Sequence, residues 1–143
     1  MEQRALWMAR AAGAVFLLLF LLTILQALAA IRMAEGWIWA VVLPMPFYLY
    51  AMFATWRALT LVARGAKLAP QLSRLMRRSG IALFIGGLVE VFGTNVVLVG
   101  SGAAAQPINI TAIVIGVIGV GLFGLAGLID EGRAARAELD EFV

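Results

Sequence analysis

Four long apolar runs, separated by short polar segments, dominate the pattern of the chain. They cover residues 11–31, 37–62, 80–100 and 108–129. Each reaches the roughly 20 residues a helix needs to cross about 30 Å of hydrocarbon. Lipid offers no partner to a backbone amide, so a crossing segment must satisfy its own hydrogen bonds, which a helix does. The runs are too long and too evenly apolar for barrel strands. The pattern predicts an all-α polytopic membrane protein. It forms one four-transmembrane-helix domain over residues 1–143, with 130–143 as a tail. The first run follows two arginines and ends in "ALAA", as a secretory leader would. It is longer than the apolar stretch of a leader and is read as a true span.

The interruptions refine the pattern. Span two contains "LPMPF", and Pro44 and Pro46 each remove a backbone donor, so the helix should kink or open there. Between spans two and three, Leu68, Leu72, Leu75 and Met76 recur at helical spacing. Lys67, Arg74, Arg77 and Arg78 surround that stripe, and Pro70 suits a first helical turn. This predicts a short amphipathic cytoplasmic helix lying on the inner leaflet and attracted to anionic lipid. Span four carries Gly116, Gly119, Gly121, Gly124 and Gly127 on more than one face, which suits close helix packing. Three of them spell a dinucleotide-type Gly-x-Gly-x-x-Gly. They lie inside a span with no preceding strand, so that reading fails.

Composition agrees with the spans. Of 143 residues, 64% are hydrophobic and 13% charged, against roughly half and a quarter in soluble domains. The net charge of +3 is too small to suggest direct nucleic-acid binding. Its distribution is more telling. Arg4, Arg10, Arg64, Lys67, Arg74, Arg77, Arg78, Arg133 and Arg136 flank one side of the predicted bundle, and Arg32 alone flanks the other. Nine against one puts both termini and the second loop in the cytoplasm. Trp37 and Trp39 suit an outer aromatic belt, Trp7 and Trp56 an inner one. The chain has no cysteine and no histidine. Disulfides, thiolate chemistry, the usual zinc sites and axial-histidine haem are thereby excluded. No cofactor is predicted.

Glu90 stands near the middle of span three, about ten residues or on the order of 15 Å in from its start. A charged side chain in hydrocarbon costs about 2.5–3.5 kcal/mol even on insertion scales, so Glu90 should face the bundle. Helix direction and rise bring Thr23, Gln26, Tyr48 or Tyr50, and Asn95 to similar depths. These form a candidate intramembrane polar site. Three readings compete for Glu90: a hydrogen bond that fixes packing, a ligand, ion or proton site, and an oligomer contact. Arg57 could reach toward Glu90, but snorkelling to the inner interface is easier. Gly86 and Gly93 share the Glu90 face, and with Gly116 and Gly124 they are the candidate packing glycines. The tail carries Asp130, Glu131, Glu138, Asp140 and Glu141 against Arg133 and Arg136. It should dock on the basic loop of its own chain or bind a basic partner.

The loop and tail carry a resemblance. Gly65, then "SRLMRRSG" ending at Gly80, and a tail with Gly132, Glu138, Leu139, Asp140 and Val143 resemble the bacterial integral membrane family catalogued as domain of unknown function 2975. "KLAP" stands where that family carries a Pro-Phe pair. The resemblance covers nearly the whole chain and implies a bacterial cytoplasmic (inner) membrane. It also implies a helix-turn-helix transcription regulator as a neighbour. The sequence therefore predicts a non-enzymatic membrane protein with a regulatory or assembly partner on its cytoplasmic face. The alternatives are a small transporter or ligand- or proton-binding protein using Glu90, and a subunit of a larger membrane complex. No second acid or base accompanies Glu90 for catalysis. The sequence leaves the oligomeric state open.

Overall fold

Each apolar run forms a helix long enough to cross a bilayer, and the four candidate spans cover Leu6–Met33, Ile38–Ala63, Leu68–Gly100 and Ile110–Leu139. The structure, a computed structural model, describes residues 2–33, 36–66 and 68–141, and contains no strand among them. The elements are α1 (Glu2–Met33), α2 (Gly36–Val42), α3 (Met45–Ala63), α4 (Leu68–Leu88), a π-helical turn (Val89–Gly93), α5 (Thr94–Gly100) and α6 (Ile110–Glu141). Span two is α2 plus α3; span three is α4, the π turn and α5. Short loops join the spans, so neighbours run antiparallel. This is the predicted all-α four-helix bundle, compatible with a multi-pass membrane protein.

Span two breaks where the prolines predict. Leu43 and Pro44 form a turn between α2 and α3, and Pro46 falls in the first turn of α3, where a missing amide costs little. Spans two and three end in the same device. The Gly65 and Ala66 amides bond back to Val62 and Leu61, and the Gly102 and Ala103 amides to Val99 and Leu98. Both glycines have positive φ, 86° and 80°, which a side chain would strain.

The predicted amphipathic helix is present, but it is not a separate element on the membrane surface. Leu68 to Leu88 is one unbroken helix, so the basic segment is the start of span three. The sequence reading took Gly80 as the opening of that span. Gly80 is instead an interior contact. A Cβ there would lie 2.5 Å from the Gly119 carbonyl oxygen, and a Cβ on Gly119 would lie 2.6 Å from that of Gly80. One turn pair further along, a Cβ on Gly87 would lie 2.7 Å from the Ala112 oxygen and 3.2 Å from the Gly116 Cα. Spans three and four thus touch backbone to backbone.

The interior is small and the exterior large. Buried apolar residues are mostly alanines, among them Ala30, Ala51, Ala54, Ala82, Ala112 and Ala126. Leucine, isoleucine, valine and phenylalanine side chains point outward along every span. Lipid solvates such groups as well as a protein core does, so close packing of small residues drives association. α1 meets span two through an aromatic exception. Phe16 stacks on Trp56 at 6.0 Å, Phe53 joins both rings, and Trp56 lies where a Cβ on Gly13 would stand. Trp56 is therefore a packing residue. Trp7 and Trp39 are exposed, and the Trp37 side chain lies outside the described residues. Among the described residues, α1 contacts span two and α6 contacts span three, while α1 and α6 do not meet. The bundle has one open seam.

The packing glycines separate accordingly. Gly86 faces the Tyr48 ring and Gly93 the Leu43 side chain, and Gly116 is buried against Gly87. Gly124 corrects the sequence reading: it is exposed, with open space where a Cβ would stand. Gly80→Ala is expected to destabilise the protein by about 1–3 kcal/mol through backbone overlap. Gly124→Ala should leave stability unchanged or slightly raised, since alanine is the better helix former. Thermal unfolding in a mild detergent compares the two.

Candidate functional site

Two irregularities face each other: the break at Leu43–Pro44 and the π turn at Val89–Gly93. Pro44 has no amide hydrogen, so the Ala40 carbonyl loses its helical donor. The Thr94 hydroxyl donates to that oxygen at 3.2 Å and supplies the missing bond from span three. Irregular backbone at membrane depth persists where protein groups satisfy it. Single π turns inside longer helices frequently mark functional sites. Here the turn carries Glu90.

Glu90 accepts two side-chain hydrogen bonds, one on each oxygen. The Tyr48 hydroxyl donates to Oε2, and the Asn109 Nδ2 donates to Oε1 at 2.7 Å. The three residues come from spans two and three and from the entry to span four. The Asn109 amide is fixed by its other end, because its Oδ1 caps α6 by accepting the Thr111 amide at 3.0 Å. Asn95 lies beyond Glu90 toward the third loop. Its Nδ2 donates to the Val91 carbonyl at 3.3 Å, and its Oδ1 accepts the Gln106 amide at 2.9 Å. The loop is thereby drawn over the site.

These groups line a cavity of about 380 Å³ together with Val41, Met45 and Ile115. Among the described residues, Glu90 is the single charged one in its wall. Each carboxyl oxygen has spent one acceptor position on protein and retains capacity for another donor. The arrangement can hold a cation or a donor group beside an apolar wall. Among the described residues no three acidic, histidine or cysteine side chains converge as a metal site would require.

The predicted polar layer divides in two. Glu90, Asn95 and Tyr48 meet as expected, and Tyr48 rather than Tyr50 is the partner. Thr23 and Gln26 do not reach Glu90. They line a second cavity of about 460 Å³, which Tyr48 also borders. The Thr23 hydroxyl donates to its own helix at the Leu19 carbonyl, 2.8 Å away. Ser79 lines this second cavity, and its buried hydroxyl has no protein partner. Sequence reasoning missed Asn109 and Ser79. Asn109 carried a signal, an Asn immediately before an apolar helical run. Ser79 carried none.

At the other end of the bundle, Asp130 gathers three groups. The Ser73 hydroxyl donates to it at 2.7 Å, Arg77 pairs with it at 3.0 Å, and Arg133 approaches to 3.6 Å. Arg77 also lies over the Phe123 ring at 6.0 Å. Among the described acidic residues of the tail, Asp130 alone meets the basic segment. From Glu131 to Leu139 every residue, Glu138 included, is exposed. Lys67 and the side chains of Asp140 and Glu141 lie outside the described residues. Arg74 and Arg78 face span two, beside Arg57, which does not reach Glu90.

Comparison with family models, with curated proteins and with solved structures returns no match to the chain. The functional reading rests on geometry.

Thr94→Val removes the donor to the Ala40 carbonyl and is expected to cost about 1 kcal/mol, the scale of interhelical hydrogen bonds in membranes. Thr23→Val removes only a bond within its own helix and should stay within about 0.5 kcal/mol of the parent. Unfolding of each variant in detergent checks the pair.

Proposed function

We propose that this is a non-enzymatic, multi-pass membrane protein that binds a small monovalent organic cation beside Glu90. One observation carries the reading: the one carboxyl among the described lining residues, held at the meeting point of two broken helices, faces a cavity of about 380 Å³. That size falls in the range of roughly 300–1,000 Å³ typical of small-molecule sites. Glu90 would serve as counter-ion, the amides of Asn95 and Asn109 as polar partners, and Val41, Met45 and Ile115 as an apolar wall. One carboxylate among amides suits an ammonium group better than a divalent ion, which takes more oxygen ligands. The nine-to-one bias of basic residues supports a cytoplasmic basic end, with the cavity toward the outside. The resemblance in loop and tail supports a bacterial cytoplasmic membrane as the setting.

A second reading draws on the last helix. Asp130 fastens it to span three, and residues 131–139 then run fully exposed. An unpartnered charged helix beside a basic surface suits recruitment of a cytoplasmic regulator or assembly partner, or a larger membrane complex. The resemblance stated above supports a helix-turn-helix protein as that partner.

Equilibrium dialysis of the purified protein against tetraethylammonium tests the first reading. Glu90→Gln is expected to weaken binding about tenfold or more, because it removes the carboxylate's Coulomb attraction for the cation. Equal binding by parent and variant would reject it. For the second reading, pulldown from nanodiscs compares the full chain with one truncated after Asp130. If both recover the same proteins, the tail recruits nothing.

A further inference from the structure

Toward the basic end, α3 and α4 flank a cleft of about 190 Å³. Arg57 enters it from α3, and Arg74, Arg78 and Gln71 from α4. Positions 71, 74 and 78 are three and four apart, so one helix face carries all three. On α3, the buried Ala54 and Ala58 form the floor. Tyr50 and Phe53 continue the wall toward the middle of the span, Tyr50 lying about 10 Å from the Arg57 level by helical rise.

The charges in this cleft are unbalanced. Asp130 engages Arg77 and Arg133, and among the described residues no carboxylate pairs with Arg57, Arg74 or Arg78. Among the described residues no acidic one lines the cleft. Arg74 also borders the pocket over Asp130, yet forms no ion pair there. Three guanidinium groups gathered without a counter-ion repel one another, and an anion among them removes that repulsion. Guanidinium forks match phosphate oxygens in geometry. An anion that also covers Tyr50 and Phe53 must carry a hydrocarbon chain. Basic pockets between membrane helices at the interface bind anionic lipid head groups on these principles.

We propose that the cleft between spans two and three binds the phosphate of an anionic phospholipid. Arg57, Arg74 and Arg78 hold the phosphate oxygens, and the Gln71 amide reaches the adjoining ester or headgroup. One acyl chain lies along Phe53 and Tyr50. The proposal is independent of the cation site at Glu90 and rests only on the chain's residence in a bilayer.

Native mass spectrometry of the full chain in dodecyl maltoside tests it, with phosphatidylglycerol, phosphatidylcholine and inorganic phosphate as separate probes. The parent protein should retain phosphatidylglycerol over phosphatidylcholine, and inorganic phosphate at millimolar concentration should not displace it. Each arginine removed should weaken retention about fivefold. The R57Q/R74Q/R78Q variant should therefore lose the preference. R10Q/R133Q/R136Q, which removes equal charge elsewhere, should keep it. If the first variant does not yield monodisperse protein, the single R78Q substitution supplies the same comparison against R136Q. Equal loss in cleft and control variants would overturn the proposal, because net charge alone would then explain retention. So would equal retention of the two lipids by the parent. Displacement by inorganic phosphate would assign the arginines to a free anion and overturn the lipid.

Discussion

A carboxyl group inside an apolar helix bundle must have its oxygens occupied, and Glu90 meets this with donors from two other spans. Tyr48 reaches it from span two and Asn109 from the cap of span four. The demand organises its surroundings. The π turn sets Glu90 in an irregular stretch of span three. The Asn109 cap fixes where span four begins, and Asn95 draws the third loop across the opening. The proline break would leave the Ala40 carbonyl bare in lipid, and Thr94 answers it from the same face. The neutral end of the bundle is thus held by directed polar contacts that also enclose a cavity.

The basic end is held differently. Gly80 and Gly119 bring spans three and four into backbone contact, and Asp130 fastens them again at the membrane edge. Exposed ion pairs contribute little, at most about 1 kcal/mol, so the glycine contact dominates there. The open seam between α1 and α6 leaves Thr23, Gln26 and the unpartnered Ser79 hydroxyl around a cavity distinct from the one at Glu90. A helix pair fixed at one end and polar clamps at the other leave two cavities between them, of about 380 and 460 Å³.

Much of this was legible in the sequence, because a bilayer imposes length and apolarity on every crossing. The four spans, the break at Pro44 and the inward placement of Glu90 follow from those demands alone. Its partners did not follow. Tyr48 and Tyr50 lie at similar depth, and only the rotation of α3 after the break selects between them. Asn109 lies 19 residues from Glu90, at the very start of the fourth apolar run, where the sequence reading singled out no polar group. Glycine marks where contact is possible without saying which face is used. Gly124 was accordingly misread, and Gly80, taken for a boundary, is a backbone contact with span four. The basic segment looked separable because its polarity changes at Ser79 and Gly80, but nothing there prevents helix from continuing.

The central claim is that Tyr48 and Glu90 are energetically joined across spans two and three. A double-mutant cycle with Tyr48→Phe, Glu90→Gln and the combined variant, read by unfolding in detergent, measures that link directly. The account predicts a coupling energy of about 0.5–2 kcal/mol, with the second substitution costing less once the first is made. Strictly additive losses would contradict it.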